Sequence, residues 1–266
     1  MTAKQVAAEA SWTNAARGII AGFADLLFAP VCLGCRASIP TSAIDRRVCA
    51  VCWTRLRELP HPRCDRCCTP RRPAISGDLA PEGCTTCDTL PPWLRSVRSV
   101  YVLEGPAHRM VHGLKYAGWH CLAEPMGIRM ARAPLGEEAE EEVECVVPVP
   151  LSAVRRRQRG YNQAALLAEV VARSRQLPSR PELLERVKST ETQTALHPAE
   201  RLANVAGAFR VPTTASAAVR RRHLLIVDDV WTTGATTLAC AEGLLQAGAR
   251  AVSVLTFARA LPELRR

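Results

Sequence analysis

The stretch Leu224-Leu225-Ile226-Val227-Asp228-Asp229-Val230-Trp231-Thr232-Thr233-Gly234-Ala235-Thr236-Thr237 decides how this chain folds. Its four leading apolar residues, bounded at once by polar residues, predict a strand that is buried on both faces, as strands of parallel sheets are. Apolar residues then recur at helical spacing, at Leu238, Ala241, Leu244 and Leu245, which predicts a helix over 235–246. The segment between them is therefore a turn from the carboxyl end of a strand to the amino end of a helix.

Open α/β sheets bind their ligands at such a turn. The free N–H groups and the dipole of the helix favour an anion such as phosphate. Gly234 lets the backbone approach the anion, and the four threonines of the stretch offer hydroxyl donors. Asp228 and Asp229 would repel a bare phosphate, so they indicate a ligand that also presents hydroxyls or a Mg²⁺ ion. A phosphorylated ribose fits this combination, and an ordinary turn with capping threonines is the plainer alternative.

This order of residues resembles the phosphoribosyl pyrophosphate (PRPP) signature of the type I phosphoribosyltransferases. The resemblance implies that the two aspartates bind the ribose hydroxyls and that residues 232–236 hold the 5′-phosphate. The residues so implicated are Asp228, Asp229, Thr232, Thr233, Gly234, Ala235 and Thr236. Ala235 departs from the pattern, because many members have a glycine there. An alanine fits if its φ is negative, as at the start of a helix.

Eight of the twelve cysteines form four pairs with the spacing Cys-x-x-Cys. Each pair can bind one tetrahedral metal through two thiolates, so eight thiolates make two zinc sites. The pairs are Cys32 with Cys35, Cys49 with Cys52, Cys64 with Cys67, and Cys84 with Cys87. Sequential pairing and an interleaved cross-brace are both compatible with this spacing. The segment holds too few apolar residues to fold without a cross-link such as a bound metal ion, so we expect the zinc to be structural.

Composition indicates a folded chain with anionic partners. Of 266 residues, 48% are hydrophobic, which excludes global disorder, and the formal net charge is +10. No signal peptide is recognisable, and the early apolar stretch 18–31 is too short to span a bilayer. We therefore expect a cytoplasmic protein, in which clustered cysteines bind metal rather than form disulfides. An amphipathic helix is predicted over 15–28.

Strands and helices alternate through the rest of the chain, which predicts an α/β fold with a parallel sheet flanked by helices. Strands are predicted over 97–103, 145–151, 182–187 and 250–257, and helices over 108–116, 121–132, 163–175 and 198–205. The acidic run from Glu137 to Glu144 is expected to be a solvated loop or helix face. Four arginines between 155 and 159 are predicted to lie in a basic loop, which can hold a pyrophosphate or a nucleic-acid backbone.

The order of motifs along the chain resembles the ComF family of competence proteins. The motifs are the cysteine pairs, Lys115-Tyr116, residues 147–151, residues 159–163, Gln193, Arg201 with Asn204 and Phe209, and the PRPP signature. The resemblance implies a double zinc ribbon before a type I phosphoribosyltransferase-like domain, and an association with DNA uptake. Predicted domains are a tail with an amphipathic helix over 1–31, the zinc ribbon over 32–92, and the phosphoribosyltransferase-like domain over 93–266.

Two hypotheses about function follow from this resemblance. In the first, the protein is a phosphoribosyltransferase-type protein that transfers or senses a phosphoribosyl group. PRPP would bind with Mg²⁺, its pyrophosphate lying near Leu151, Arg155 and Arg159. In the second, the protein is an accessory of DNA uptake that binds single-stranded DNA and keeps a phosphoribosyl-phosphate site without catalysis. Neither a catalytic residue nor the acceptor of the phosphoribosyl group can be named from the sequence.

Overall fold

The computed structural model describes residues 30–40, 42–71, 84–188 and 205–261. The chain divides into two compact units, Met1–Arg55 and Leu56–Arg266. The first unit contains the short helix α1 (Ala50–Thr54), whose N-cap Cys49 accepts from the backbone N–H of Cys52. The helix predicted over 15–28 lies outside the described residues, as does that over 198–205 apart from Val205. The predicted domain limits at residues 31 and 92 stay predictions.

The second unit is built on a sheet of four parallel strands. These are β1 (Leu94–Val102), β2 (Val143–Pro148), β5 (His223–Trp231) and β6 (Ala251–Arg259), in the order β1-β6-β5-β2. A separate antiparallel pair is formed by β3 (Glu185–Arg186) and β4 (Phe209–Arg210). Every residue of β6 is buried, as expected of a central strand that is covered on both faces.

Helices cover the sheet and connect its strands. They are α2 (Thr85–Asp88), α3 (Gly105–Tyr116), α4 (Ala123–Ala131), α5 (Glu137–Glu142), α6 (Ala153–Arg159), α7 (Gln163–Arg175), α8 (Ser216–Val219) and α9 (Ala235–Gln246). Short 3₁₀ segments lie at His120–Leu122, Pro181–Leu183 and Thr213–Ala215. The predicted α/β fold with a parallel sheet is confirmed. Among the described residues, no helix combines the length and apolar character that crossing a bilayer requires.

The basic segment predicted as a loop is instead the helix α6. Ser152 caps its amino end, where the side-chain hydroxyl accepts from the backbone N–H of Arg155. Gly160 ends it in a left-handed conformation, with φ at 77°. A capping serine before the segment and a glycine after it were visible in the sequence, and the run of arginines between them is compatible with a helix.

Candidate functional site

The acid pair lies inside β5 rather than after it, since the strand runs on to Trp231. Asp228 is 9% exposed and Asp229 is 2% exposed. The Asp228 side chain turns back on the chain, where Oδ1 accepts from the backbone N–H of Asp229 at 2.8 Å. Burial first, and then the adjacent Asp229 carboxylate, raise the pKa of Asp228 to about 8. Two carboxylates are thus held side by side at the carboxyl end of a buried strand.

The turn after Trp231 is tight and depends on Gly234. This residue has φ at 80°, and a Cβ placed on it would lie 2.3 Å from Cζ2 of Trp231. Ala235 then begins α9 and is not among the described residues with positive φ, as an alanine requires there. Thr232 is exposed, and Thr233 and Thr236 are half-buried. These three threonines lie at the amino end of a twelve-residue helix, where Oγ1 of Thr233 accepts from the N–H of Ala235 at 3.4 Å.

Thr237, the fourth threonine of the stretch, faces the interior. Its hydroxyl donates to the carbonyl of Gly234 at 3.0 Å, and the residue is 2% exposed. It therefore stabilises the first turn of α9 and is unsuited to contact a ligand. The expectation that all four threonines offer donors to an anion is wrong for this residue.

Lys115 of α3 pairs with the buried acids. Its Nζ lies 2.9 Å from Oδ1 of Asp229, and the two side chains are 23% and 3% exposed. Burial by itself would lower the pKa of Lys115, but attraction by Asp229 and then Asp228 outweighs it and raises that pKa. In the sequence, Lys115 stands out only as part of a family motif. The signal that could have marked it is the scarcity of lysine in a chain whose cations are mostly arginine.

The end of α3 is held in place by two contacts around Lys115. Trp119 packs against Gly113, where a Cβ would lie 1.9 Å from Cε3 of the indole. The hydroxyl of Tyr161 donates to the carbonyl of Leu114 at 2.6 Å. Both contacts fix the last turn of the helix, so the ammonium group is directed at Asp229 by packing rather than by the lysine side chain alone.

Contacts with the segment after β2 and with the end of α3 are made by side chains of the motif Arg159-Gly160-Tyr161-Asn162-Gln163. Arg159 donates to Oε1 of Gln163 at 2.8 Å, and its guanidinium lies 4.9 Å from the centre of the Tyr116 ring. Asn162 donates to the carbonyl of Val149 and accepts from the N–H of Ala164, which caps α7. These contacts assign the motif a structural role that its sequence alone did not reveal.

The residues predicted for the pyrophosphate or nucleic-acid side all follow β2. Leu151 is buried, whereas Arg155 and Arg159 are half-buried on α6. The structure brings this segment next to β5, the strand that carries the two aspartates, since the N–H of Val149 donates to the carbonyl of Val227 at 3.0 Å. A cavity of about 780 Å³ opens beside the same segment. Its lining includes Leu151, Arg156, Arg157, Tyr161, Asn162 and Arg186.

The eight paired cysteines gather into two sets of four in the sequential arrangement. In each set the four Sγ atoms lie within 4.8 Å of one another. The sets are Cys32, Cys35, Cys49 and Cys52, and Cys64, Cys67, Cys84 and Cys87. The Sγ–Sγ distance is 3.8 Å between Cys35 and Cys49 and 3.5 Å between Cys64 and Cys87. The edge of a tetrahedron with Zn–S bonds of about 2.3 Å is about 3.8 Å, so both sets fit structural zinc.

Backbone donors favour the thiolate at one cysteine of each set, whereas burial raises the pKa of Cys49, Cys52, Cys67 and Cys87. Burial opposes the thiolate of Cys32, but N–H groups of Cys49, Cys35 and Gly34 outweigh it and lower its pKa to about 7. The same balance at Cys64, with donors from Cys67 and Arg66, lowers its pKa to about 6. Thiolates are the form that binds zinc. The extra thiol of Cys68 stays outside its set and lies 3.7 Å from a nitrogen of Arg98.

Three arginines join the second cysteine set to the sheet. Arg66 donates to the carbonyls of Cys87 and Leu94. Arg98 donates to the carbonyl of Arg66, and Arg259 to the carbonyl of Cys67 and the hydroxyl of Thr69. This cysteine set is therefore continuous with β1 and β6, a role of the three arginines that the sequence did not indicate.

Comparison with known proteins places both parts of the chain. A family model described as a double zinc ribbon domain matches residues 23–88. DNA utilization protein YhgH of Salmonella typhimurium is 32% identical over 238 residues, which cover 87% of this chain and 97% of that protein. Competence protein F of Haemophilus influenzae is 37% identical over 117 residues, 44% of this chain and 51% of that protein. Competence protein ComFC of Bacillus subtilis is 28% identical over 214 residues, 80% and 83% of the two chains.

A crystal structure of TT1426 from Thermus thermophilus covers 50% of this chain and 71% of its own, at 19% identity and a TM-score of 0.29. A score that low carries no weight for the fold. The relationship rests instead on the sequence match to YhgH, which extends over nearly the whole of that protein, and on the double zinc ribbon. The chain belongs to the ComF family of competence and DNA utilization proteins.

Proposed function

We propose that the second unit binds a phosphoribosyl ligand of the PRPP type at the carboxyl end of β5. The observation that carries this proposal is the buried pair Asp228 and Asp229, which lies a few residues before a glycine turn and the amino end of α9. Carboxylates accept hydrogen bonds from sugar hydroxyls, and a helix amino end attracts phosphate. A ribose 5-phosphate unit presents both groups at one end of one small molecule.

The 5′-phosphate would lie in the turn. Thr232, Thr233 and Thr236 offer hydroxyls, and the backbone N–H groups of Gly234 and Ala235 lie at the helix start. The positive φ of Gly234 brings that backbone close to the ligand. Thr236 also has an interaction within the protein.

The pyrophosphate would extend toward the segment after β2, with Leu151, Arg155 and Arg159 on that side. Mg²⁺ would accompany the pyrophosphate oxygens, because this ion is commonly held through substrate phosphates. Support comes from the pairing of Val149 with Val227, which sets the two strand ends side by side. Transfer of the phosphoribosyl group and sensing of it remain the two forms of this proposal.

A role in DNA uptake is proposed from the names of the relatives, which include competence proteins and a DNA utilization protein. A cytoplasmic site of action belongs to the same proposal. It is supported by eight thiols that gather in metal-binding sets, a use of cysteine typical of reducing compartments.

Calorimetric titration with PRPP and Mg²⁺ tests the binding site. We expect the double variant Asp228→Asn with Asp229→Asn to lose binding while its circular dichroism spectrum is unchanged. Glu169→Gln, an exposed carboxylate of α7, is the matched control and should bind like the parent protein. Equal affinity in the double variant and the control would contradict the proposal. Release of pyrophosphate from PRPP, screened against candidate acceptors, then separates transfer from sensing.

A second candidate function, single-stranded DNA binding, is favoured by a row of planar side chains on α3. His108, His112 and Tyr116 are all exposed. Their ring centres are separated by 6.4 Å and 4.9 Å, and the guanidinium of Arg159 continues the row over Tyr116. Unpaired bases stack on such groups, and cations draw the phosphate backbone toward them.

Fluorescence anisotropy with a labelled oligothymidine tests this second function. Affinity should fall steeply with salt and should fall roughly tenfold for His112→Ala with Tyr116→Ala, since one stacked base contributes about 1 to 3 kcal/mol. Gln158→Ala, an exposed position on the neighbouring helix α6, serves as the control. A response that is flat in salt would count against DNA binding through the backbone.

A further inference from the structure

The acid pair already has a cation, supplied by the protein itself. Lys115 Nζ lies 2.9 Å from Oδ1 of Asp229, and both side chains are largely buried. The second oxygen of Asp229, Oδ2, is buried and has no hydrogen-bond partner within the part of the chain that the structure describes. One oxygen of this carboxylate is thus neutralised, and the other is left as an acceptor.

An acid pair without this lysine would be a strong attractor of metal. Two adjacent buried carboxyl groups resist being ionised together, and a hard divalent cation with oxygen ligands would stabilise them in that doubly ionised state. The ammonium of Lys115 supplies one positive charge beside Asp229 without a metal. It also lies beside the oxygen that a divalent ion would bind.

The position of the ammonium is built into the fold. Gly113 and Trp119 close the end of α3, and Tyr161 holds the carbonyl of Leu114, the residue immediately before the lysine. Arg159 packs on the ring of Tyr116, the residue immediately after it. These contacts fix the backbone from which the Lys115 side chain extends, and the ion pair with Asp229 then orders the side chain itself.

We propose that Lys115 is the resident counter-ion of the Asp228 and Asp229 pair, in the place that a divalent cation would otherwise take. The lysine leaves Oδ2 of Asp229 to accept a hydroxyl of the ligand, a statement that rests on the proposed phosphoribosyl function. It is therefore a specificity-determining residue: the acids select a hydroxyl-bearing sugar phosphate and exclude a metal ion. Mg²⁺ would enter only with the pyrophosphate of the ligand.

Titration of the zinc-loaded protein with Mn²⁺, followed by electron paramagnetic resonance, tests the counter-ion without any sugar ligand. The parent protein should bind no Mn²⁺ at Asp229, so its Mn²⁺ uptake should equal that of Asp229→Asn. Lys115→Met should gain about one Mn²⁺ per chain, and that ion should be lost again when Asp229→Asn is added. Lys188→Met removes a lysine from another part of the second unit and should gain none.

Two results would overturn the inference: a Mn²⁺ ion in the parent protein that depends on Asp229, or a folded Lys115→Met that gains none. Should Lys115→Met fail to fold, the titration of the parent protein still decides whether a Mn²⁺ ion binds at Asp229 in the presence of the lysine. Lys115→Arg then provides a folded comparison that keeps the charge and is expected to gain no ion.

Calorimetry with ribose 5-phosphate tests the role toward the ligand, because this probe lacks the pyrophosphate that would bring its own metal. For the zinc-loaded protein, the parent affinity should change by less than about twofold between buffer without added divalent ions and buffer with Mg²⁺. Lys115→Met should bind roughly tenfold or more weakly without Mg²⁺, the scale of one charge-assisted hydrogen bond, and should recover when Mg²⁺ is added. A parent protein that requires Mg²⁺ would refute the proposed role.

If the parent binds neither ribose 5-phosphate nor PRPP, the phosphoribosyl proposal fails, whereas the Mn²⁺ titration still decides whether Lys115 is the counter-ion of the acid pair.

Discussion

The guanidinium of Arg259 lies over the indole ring of Trp231, 5.7 Å from the ring centre. The same guanidinium donates to the carbonyl of Cys67 in the second cysteine set. Trp231 in turn packs against Gly234 in the turn after the acid pair. A continuous set of contacts therefore runs from a metal site to the candidate ligand turn, all within the second unit.

Replacing Arg259 should destabilise this unit. Arg259→Met leaves the carbonyl of Cys67 and the hydroxyl of Thr69 without their buried donor, which we expect to lower the free energy of unfolding by roughly 3 kcal/mol. Urea denaturation measures the loss. Arg157→Met, at an exposed position, should change stability by less than about 0.5 kcal/mol. If the two variants unfolded at the same urea concentration, the contacts of Arg259 would contribute nothing measurable.

Gly234→Ala should be more damaging than an equivalent change elsewhere. The left-handed φ costs an alanine about 1 to 2 kcal/mol, and here the new Cβ would also meet the Trp231 ring at 2.3 Å. Gly118→Ala is the matched control, because Gly118 also has positive φ but no atom of the described residues lies within 4 Å of the added Cβ. The difference in unfolding free energy between the two variants measures the clash, and equal losses would show that the ring moves away freely.

The helix Ala235–Gln246 was predicted to the residue, because apolar spacing and a preceding glycine mark both its face and its start. The two cysteine sets followed from spacing, although only the structure distinguished sequential from interleaved pairing. Lys115 could not be placed at the acids, since nothing local to α3 specifies a contact with a strand so distant in sequence. The same holds for Tyr161 and Leu114, whose hydrogen bond depends on how the turn between α6 and α7 packs against α3. Local patterns encode elements, whereas these side-chain contacts are settled by tertiary packing.

The two zinc sites should differ in what they stabilise. Metal analysis should find about two zinc ions per chain, at four thiolates each. Cys35→Ser and Cys84→Ser should each lose one of them. Only Cys84→Ser should also lower the stability of the sheet, because Arg66 and Arg259 tie its cysteine set to β1 and β6.

Thermal unfolding followed by far-ultraviolet circular dichroism checks this difference. We expect the loss in Cys84→Ser to reach several kcal/mol, a fraction of the roughly 10 to 16 kcal/mol with which thiolate sites hold zinc in small peptides. An unfolding midpoint shared by both cysteine variants would show that the sheet is indifferent to its metal site.

His223 should make stability depend on pH. The imidazole is fully buried, with Nδ1 3.2 Å from Oε2 of Glu142 and Nε2 2.9 Å from Oγ of Ser253. Burial lowers its pKa, against the opposing effect of Glu142, and nearby Arg250 and Arg95 lower it further. Above about pH 6.5 the ring is neutral in both the folded and the unfolded chain. As the pH falls below that value the unfolded chain takes up a proton first, so stability is lost until the folded pKa is reached.

Urea midpoints measured between about pH 5 and pH 8 check this dependence, with about 1.4 kcal/mol expected for each unit of pKa difference. His223→Gln lacks the titrating group and should show a flatter profile over the same range. Zinc release at low pH affects both proteins alike, so the difference between their profiles isolates the histidine. Parallel profiles would mean that His223 is protonated in the folded chain as readily as in the unfolded one.

Ligand binding at the acid pair should release a proton. The pKa of Asp228 is raised to about 8, so near pH 7 most of this carboxyl group is protonated before the ligand arrives. Ribose hydroxyls donate most strongly to ionised acceptors, and binding therefore favours the deprotonated form. Affinity for ribose 5-phosphate should consequently rise as the pH increases from about 6 toward 8, by at most roughly tenfold per unit, and should level off above that.

Calorimetry at pH 7 in two buffers with different ionisation enthalpies measures the released proton directly. Asp228→Asn is the control, because an amide cannot titrate and any slope that it keeps comes from the phosphate group of the probe. Asn at this position should bind more weakly, but with a smaller dependence on pH than the parent protein. If the parent and the variant released equal numbers of protons, Asp228 would either be ionised before the ligand binds or stay protonated in the complex. In the second case its hydroxyl would donate to the sugar, and Asp229 would be the carboxylate that selects the ligand.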